Sequence, residues 1–453
     1  MTSPVLREKN EYLNVILSTP WWLITAIAVA LALIGIAMAC IINPNRFSLH
    51  AMYRDRLIRA YLGASNRNRN PNPFSGFDEQ DNPTMHSLWL EKKFHRKLLP
   101  VINVALNFGH GSKLASQERR TTSFSISPLH CGSYAVGYRK TDTSSGQRYG
   151  SEEKASSGAY AAAKPAFEPK GRLYGGKEGI TLGTAMTVSG AMPRSNKSSP
   201  LVMFILTLLN FRMGVWLGNP GPAGDKTFQL GCPNFSVRPI VAEAFGLNDD
   251  SNPYVYLSDG RHFDSLGLYE MVMRRCRYIV VCDGGADPDF TFGSLGEAIR
   301  RIRIDLNIPI VFDEPMSIFA RSAEKAQNQR GRACAIGRIR YSVVDQRTNG
   351  PGIKDGVLIY IKPACYGEEP RDIYEYFKSH ASFPHESAGD QFFTESRLES
   401  YRMLGAYTMQ KLCPDVVGDF ESFIHEIQKY LATSDSDTAA SPTDERPIAP
   451  EHA

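Results

Sequence analysis

The sequence lacks any C-x-x-C pair. Its eight cysteines, Cys40, Cys131, Cys232, Cys276, Cys282, Cys334, Cys365 and Cys413, are scattered, with no histidine at a matching spacing. That excludes a zinc module and gives no disulfide framework. The thiols are expected to be reduced and mostly buried, as in a cytosolic compartment. Neither sign of charge is in excess, since 51 Lys and Arg against 47 Asp and Glu leave a net +4 over 453 residues. Composition therefore gives no electrostatic reason for a nucleic-acid partner. A phosphate-binding loop is missing too, because no Ser or Thr follows Lys177 in Gly175-Gly176-Lys177-Glu178. Asp283, Asp287 and Asp289 share one segment but lack the Gly and terminal Glu of a calcium loop. No metal and no cofactor is expected, and there is no internal repeat.

Long apolar runs are also absent, with one exception. Trp21 to Ile42 is an uncharged stretch of 22 residues. As a helix it rises about 33 Å, enough for a bilayer core of roughly 30 Å. A buried core helix is rarely apolar for so long, and Asn43-Pro44-Asn45 is a poor signal-peptidase site. Trp21 and Trp22 stand at one edge, where indole rings favour the headgroup zone. Arg46, Arg54, Arg56, Arg59, Arg67 and Arg69 follow the run, against Arg7 and Lys9 before it. This asymmetry places the C-terminal side in the cytoplasm, so a single-pass membrane protein with a cytoplasmic domain is expected.

The domain organisation expected is an N-terminal segment 1–20, a transmembrane helix 21–42, an α/β domain 43–432 and a disordered tail 433–453, with a mobile loop at 140–171. Residues 46–62 interleave Leu49, Met52, Tyr53, Leu57 and Tyr61 with Arg54, Arg56 and Arg59. Two readings fit that pattern: a basic amphipathic helix lying on anionic headgroups, or a surface helix packed on the domain. Strands are expected at 100–108, 122–128, 254–257, 278–282, 308–312 and 357–361, with Tyr278–Cys282 in the middle of a parallel sheet. Helices are expected at 182–191, 199–211, 266–273, 295–302, 373–377, 397–412 and 419–431. Their alternation from Tyr254 onward predicts a layered α/β domain.

The chemistry centres on Ser258-Asp259-Gly260. An Asp at the carboxyl end of a strand, with a Gly permitting a tight turn, can present its carboxylate to a serine hydroxyl and accept its proton. Taken alone, Asp-Gly is a common turn pair. The surrounding block, Tyr-Val-Tyr-Leu-Ser-Asp-Gly-Arg-His-Phe-Asp-Ser-Leu-Gly-Leu-Tyr-Glu over 254–270, resembles the aspartate block of bacterial patatin-like phospholipases. More distantly it is similar to the cytosolic phospholipase A group. Ile-Val-Val-Cys-Asp-Gly-Gly-Ala-Asp-Pro-Asp (279–289) resembles the strand and loop that follow in the same family. Blocks at 45–54, 127–132, 183–191 and 383–393 agree, and the resemblance spans about residues 21 to 430.

The resemblance implies a patatin-like layered sheet with flanking helices and a Ser-Asp dyad, Asp259 matching the dyad aspartate. It also implies a Gly-x-Ser-x-Gly nucleophile elbow and a glycine-rich oxyanion loop. Neither is found here; Gly293-Ser294-Leu295-Gly296 lacks the spacing. In the family both lie N-terminal to the membrane segment, so the chain reads as the C-terminal part of a longer enzyme, with a sheet incomplete at its N-terminus. Within the chain Ser189 is the best nucleophile candidate, because its neighbours Gly190 and Ala191 are small, and Ser133 is weaker. Gly260, Arg261 and His262 are expected to line the substrate. Arg261 replaces an expected second glycine, and three readings stand: strain at positive φ, a guanidinium aimed at a phosphate headgroup, or a tolerated surface residue. Two functions follow. One is a lipid acyl hydrolase in which this chain supplies Asp259 and a missing N-terminal half or partner chain supplies the nucleophile. The other is an inactive membrane-anchored remnant that binds lipid or a partner.

Overall fold

The computed structural model describes residues 20–46, 48–89, 98–108, 121–141, 148–149, 173–190, 213–245, 247, 249–320, 331–349, 354–387, 394–415 and 417–432. The N-terminal segment up to residue 19, most of the loop 140–171, the helix expected at 199–211 and the tail 433–453 lie outside the described residues. The chain divides into two compact units, Met1–Phe263 and Asp264–Ala453. Each combines helices with its own sheet.

The first unit begins with α1 (Trp21–Ile41), 21 residues of mean hydropathy 2.7 and long and apolar enough to cross a bilayer. Only Ala39 of it is buried. Thr25, its one hydroxyl, bonds back to the carbonyls of Trp21 and Trp22, so the polar group is satisfied within the helix. Seven strands follow: β1 (Ile102–Asn107), β2 (Thr121–Ile126), β3 (His130–Ser133), β4 (Gly137–Lys140), β5 (Arg148–Tyr149), β6 (Val215–Gly218) and β7 (Tyr254–Ser258). They form one sheet in the order β5-β4-β3-β2-β1-β7-β6. Every neighbouring pair in it is antiparallel. Alternating residues pack one core, including Val104 and Leu106 of β1, Phe124 and Ile126 of β2 and Leu257 of β7. Each such side chain contributes about 1.5–3 kcal/mol by leaving water.

The exit of α1 is tied to this sheet by side-chain bonds that imitate a strand. Asn45 accepts from the Trp216 amide at 2.9 Å and donates to the Trp216 carbonyl at 2.8 Å, satisfying one residue of the edge strand β6. Its second amide hydrogen is donated to the Gly231 carbonyl at 2.9 Å. Helices α2 (Leu49–Leu57) and α3 (Leu182–Ser189) pack together, and α2 runs into a π-helical turn, Ile58–Gly63. Ile58 is fully buried and fits only because residue 183 is glycine; a Cβ there would lie 2.6 Å from its Cγ1. Residues 46–62 thus pack on the unit through Ile58, while Leu49, Met52 and Tyr61 stay exposed. Helix α4 (Val237–Ala244) completes the unit.

The second unit holds a four-stranded sheet in the order β8-β11-β10-β9: β8 (Tyr278–Cys282), β9 (Ile310–Val311), β10 (Cys334–Ile339) and β11 (Gly356–Ile361). Only β8 and β11 run parallel; β10 is antiparallel to both of its neighbours. Helices α5 (Leu268–Met273), α6 (Gly293–Leu306), α7 (Ser342–Asn349), α8 (Arg371–Ser379), α9 (Glu395–Leu412) and α10 (Phe420–Ala432) surround it. The expectation that Tyr278–Cys282 lies mid-sheet is corrected: it is an edge strand. It reads as wholly apolar because both faces are covered. Ile279 and Val281 meet Leu268, Val272, Leu295 and Ile302, while Val280 meets Leu412 and Ile427 on the other side. Burial also departs from expectation for the thiols. All eight are free, but only Cys131, Cys334 and Cys365 are buried.

A buried histidine makes the first unit sensitive to acid. His50 donates from Nδ1 to the Met213 carbonyl at 2.8 Å. Burial lowers its pKa to about 4, a shift that the Met213 bond only partly opposes. The folded state thus holds the neutral ring, and stability is lost as pH falls from the unfolded value near 6.5 toward 4. Urea unfolding is expected to show about 3 kcal/mol less stability at about pH 4 than at pH 7 from this group, and His50→Gln to flatten that part of the dependence.

Candidate functional site

Asp259 directly follows β7, whose residues Tyr256 and Leu257 are held between β1 and β6. Its side chain is buried, at 1% exposure, and it caps the 3-10 turn Gly260–His262 by accepting from the Arg261 amide at 2.8 Å. The Arg261 side chain folds back onto the same carboxylate. Its guanidinium lies 2.9 Å from Oδ2, and its Nε reaches Oδ2 at 3.1 Å and Oδ1 at 3.3 Å. Of the three readings of Arg261, the surface residue fits, its side chain being 40% exposed, and strain at positive φ does not. Its φ is not positive, so the turn is unstrained at that residue, and the guanidinium pairs with Asp259.

Gly260 is required by close approach. A Cβ on it would stand 2.8 Å from the Asn103 carbonyl oxygen on β1. Ser189, the last residue of α3, donates its hydroxyl to that same carbonyl at 2.7 Å. The fold thus brings Ser189 and the Asp259 turn to one backbone carbonyl, and the hydrogen bonds of the described residues include none between the two side chains. Ser133 is buried in β3 and accepts from the Ala135 amide. His262 is half-buried, and its carbonyl accepts from the Thr121 hydroxyl at 3.1 Å. Tyr53 of α2 completes the neighbourhood. Burial raises its pKa, and the charges of Arg261 and Asp259 are near enough to act on it in opposite senses.

One geometric premise does not hold. The carboxylate was expected at the carboxyl end of a parallel sheet, but β7 is antiparallel to both neighbours. Short apolar strands look alike in either direction, so the sequence could not distinguish them. Asn103 carries no signal, as a polar residue inside a strand, and Tyr53 reads only as one apolar position of the 46–62 pattern.

The second unit contains a polar cluster of its own at the exits of its parallel pair. Lys362 follows β11, and its ammonium is 1% exposed and 3.1 Å from Asp283 Oδ2. It also donates to the Gly285 carbonyl at 3.2 Å and lies 3.7 Å from Asp287. Tyr360 donates to Asp283 at 2.6 Å, and burial together with that bond holds its phenol protonated. The Asp287 amide lies 3.4 Å from His385 Nδ1. Burial, with Lys362 nearby, lowers the His385 pKa and keeps the ring neutral. Asp283 and Asp287, weighed in the sequence as cation ligands, already hold a cation in Lys362. The signal for it was a lone lysine ending the apolar run Leu-Ile-Tyr-Ile.

Breaking a buried ion pair by removing one partner costs about 3–5 kcal/mol. Lys362→Met is expected to lower unfolding free energy by about that amount in urea titrations, with Lys362→Met/Asp283→Asn recovering part of it. No protein-family model matches the chain and no curated protein is significantly similar to it, so the reading of its site rests on its own residues and geometry.

Proposed function

We propose that this chain works at a membrane as the carboxylate-bearing part of a patatin-like lipid acyl hydrolase. Asp259 is the dyad base, and the serine and oxyanion donors come from another segment or another chain. The observation that carries this reading is a carboxylate buried beside a backbone carbonyl at a strand exit, positioned by its own turn and facing a single partly exposed cation. A base in that position takes the serine proton as the hydroxyl attacks the acyl carbonyl, and returns it to the departing alcohol. Arg261 would have to swing off Asp259 for this, and its side chain, 40% exposed, has solvent on one side into which to move. Membrane lipid is the substrate class, α1 the anchor, and the arginines after α1 set the domain on the cytoplasmic side.

A second reading is favoured by the same pair. Both oxygens of Asp259 are engaged by Arg261, and Ser189 is committed to Asn103, which suits a membrane-anchored protein that binds lipid or a partner without turnover.

The two are separated by expressing the chain alone and with a segment carrying Gly-x-Ser-x-Gly, fused or in trans, in vesicles, and measuring ester hydrolysis and fluorophosphonate labelling. The expected outcome is hydrolysis only with the added segment, reduced by about 100-fold or more in Asp259→Ala. Hydrolysis indifferent to Asp259→Ala would overturn the dyad assignment. Labelling of the chain alone at Ser189 would overturn the assignment of the nucleophile elsewhere, and absence of any hydrolysis would select the second reading.

A further inference from the structure

The first unit carries an apolar surface that neither the Asp259 site nor the sheet uses. Helix α4 and its C-cap residue place Val237, Val241 and Phe245 at four-residue intervals, on one face. All three are exposed, Phe245 at 63%, and Phe235 and Leu247 (59% exposed) extend the ridge at its two ends. A ridge of this kind on a soluble protein marks an interaction surface. Its position identifies the occupant. Ser236, immediately before α4, donates both its amide (2.9 Å) and its hydroxyl (3.1 Å) to the Ala39 carbonyl in the last turn of α1. The ridge therefore starts within hydrogen-bonding distance of the apolar helix that is long enough to span a bilayer.

Beside the ridge, on the flank defined by Arg238 and Ala242, lies a cavity of about 220 Å³ lined by Trp216, Phe235, Pro239, Pro253 and Tyr254. Its walls are mainly apolar, and the exposed Arg238 is the cation among them. The volume is below the roughly 300–1,000 Å³ of clefts that enclose a whole small molecule. It suits the end of a hydrocarbon chain, with the Arg238 guanidinium available to a lipid phosphate.

We propose that the α4 ridge lies in the bilayer interface beside α1 and that the adjoining cavity receives the end of a phospholipid acyl chain. An interfacial helix buries its apolar face at the headgroup–acyl boundary, and an anchor that already holds it there removes most of the entropic cost of finding the surface. The inference rests on α1 crossing the bilayer and is independent of whether the chain takes part in hydrolysis.

The test is to reconstitute the full chain in vesicles of equal parts phosphatidylcholine and phosphatidylglycerol containing a phospholipid with a diazirine on its acyl chain. After irradiation, the labelled peptides are mapped by mass spectrometry. Label is expected in α1 and in residues 234–254. Val241→Glu/Phe245→Glu is expected to reduce the second signal roughly tenfold and leave the first unchanged. Label in α1 alone, on the unmodified chain, would overturn the inference while leaving α1 in the membrane. No label in α1 would remove the membrane reading and this inference with it. Undiminished labelling of 234–254 in the glutamate variant, or cross-links joining the ridges of two copies, would also overturn it.

Discussion

The first unit depends on what happens at Asn45. An apolar helix that leaves the sheet's side must hand over to an edge strand whose backbone groups would otherwise face solvent or lipid unpaired. The Asn45 amide, matching one residue's N–H and C=O on Trp216, performs that handover with three hydrogen bonds. Ser236 adds two more at the Ala39 carbonyl. The last turn of α1, the edge of the sheet and the start of α4 are thereby one bonded corner, and the position of β7, two strands' width from Asn45, follows from it. Asp259 is carried at the end of β7, so its location relative to α1 is a property of backbone geometry and not of a flexible linker.

The two units settle their buried carboxylates in contrasting ways. Asp259 meets an arginine two residues away, on the same turn and partly in solvent, so the pair is local and its attraction is screened. Asp283 meets a lysine from a different strand, closed off from water, with a tyrosine and a backbone amide taking its remaining lone pairs. Attraction is stronger in the second setting, and so is the desolvation it must offset. A local pair can open while the strands around it stay in place; an inter-strand pair cannot.

What the sequence made legible were elements with long, unbroken periodicity. The apolar run became α1, and the C-terminal helices and β11 fall close to their expected places. The Asp259 turn was found because it sits where a β-rich run stops. Strand direction was not legible, because Tyr254–Ser258 and Tyr278–Cys282 read as successive members of one layered pattern yet belong to different sheets in different units. Strands β3, β4, β5, β6 and β10 were missed, β5 inside the segment expected as a mobile loop. They are short, or carry glycine and charge, and only pairing with neighbours far along the chain makes them strands. The partners of the site residues were hidden for the same reason: Asn103 and Lys362 acquire their roles from contacts 86 and 79 residues away.

Strand β8 has one consequence beyond the fold. It is a rim strand composed of Tyr, Ile, Val, Val and Cys, with neither a charge nor a proline to discourage a neighbouring chain from pairing with it. Packing from α5 and α6 on one face and α9 and α10 on the other is what covers its Ile279, Val280 and Val281, while Cys282 stays exposed. Solubility of the second unit is therefore governed by how firmly those helices stay down. A substitution that loosens the Leu412–Ile427 layer without unfolding the sheet would be felt first as aggregation during expression.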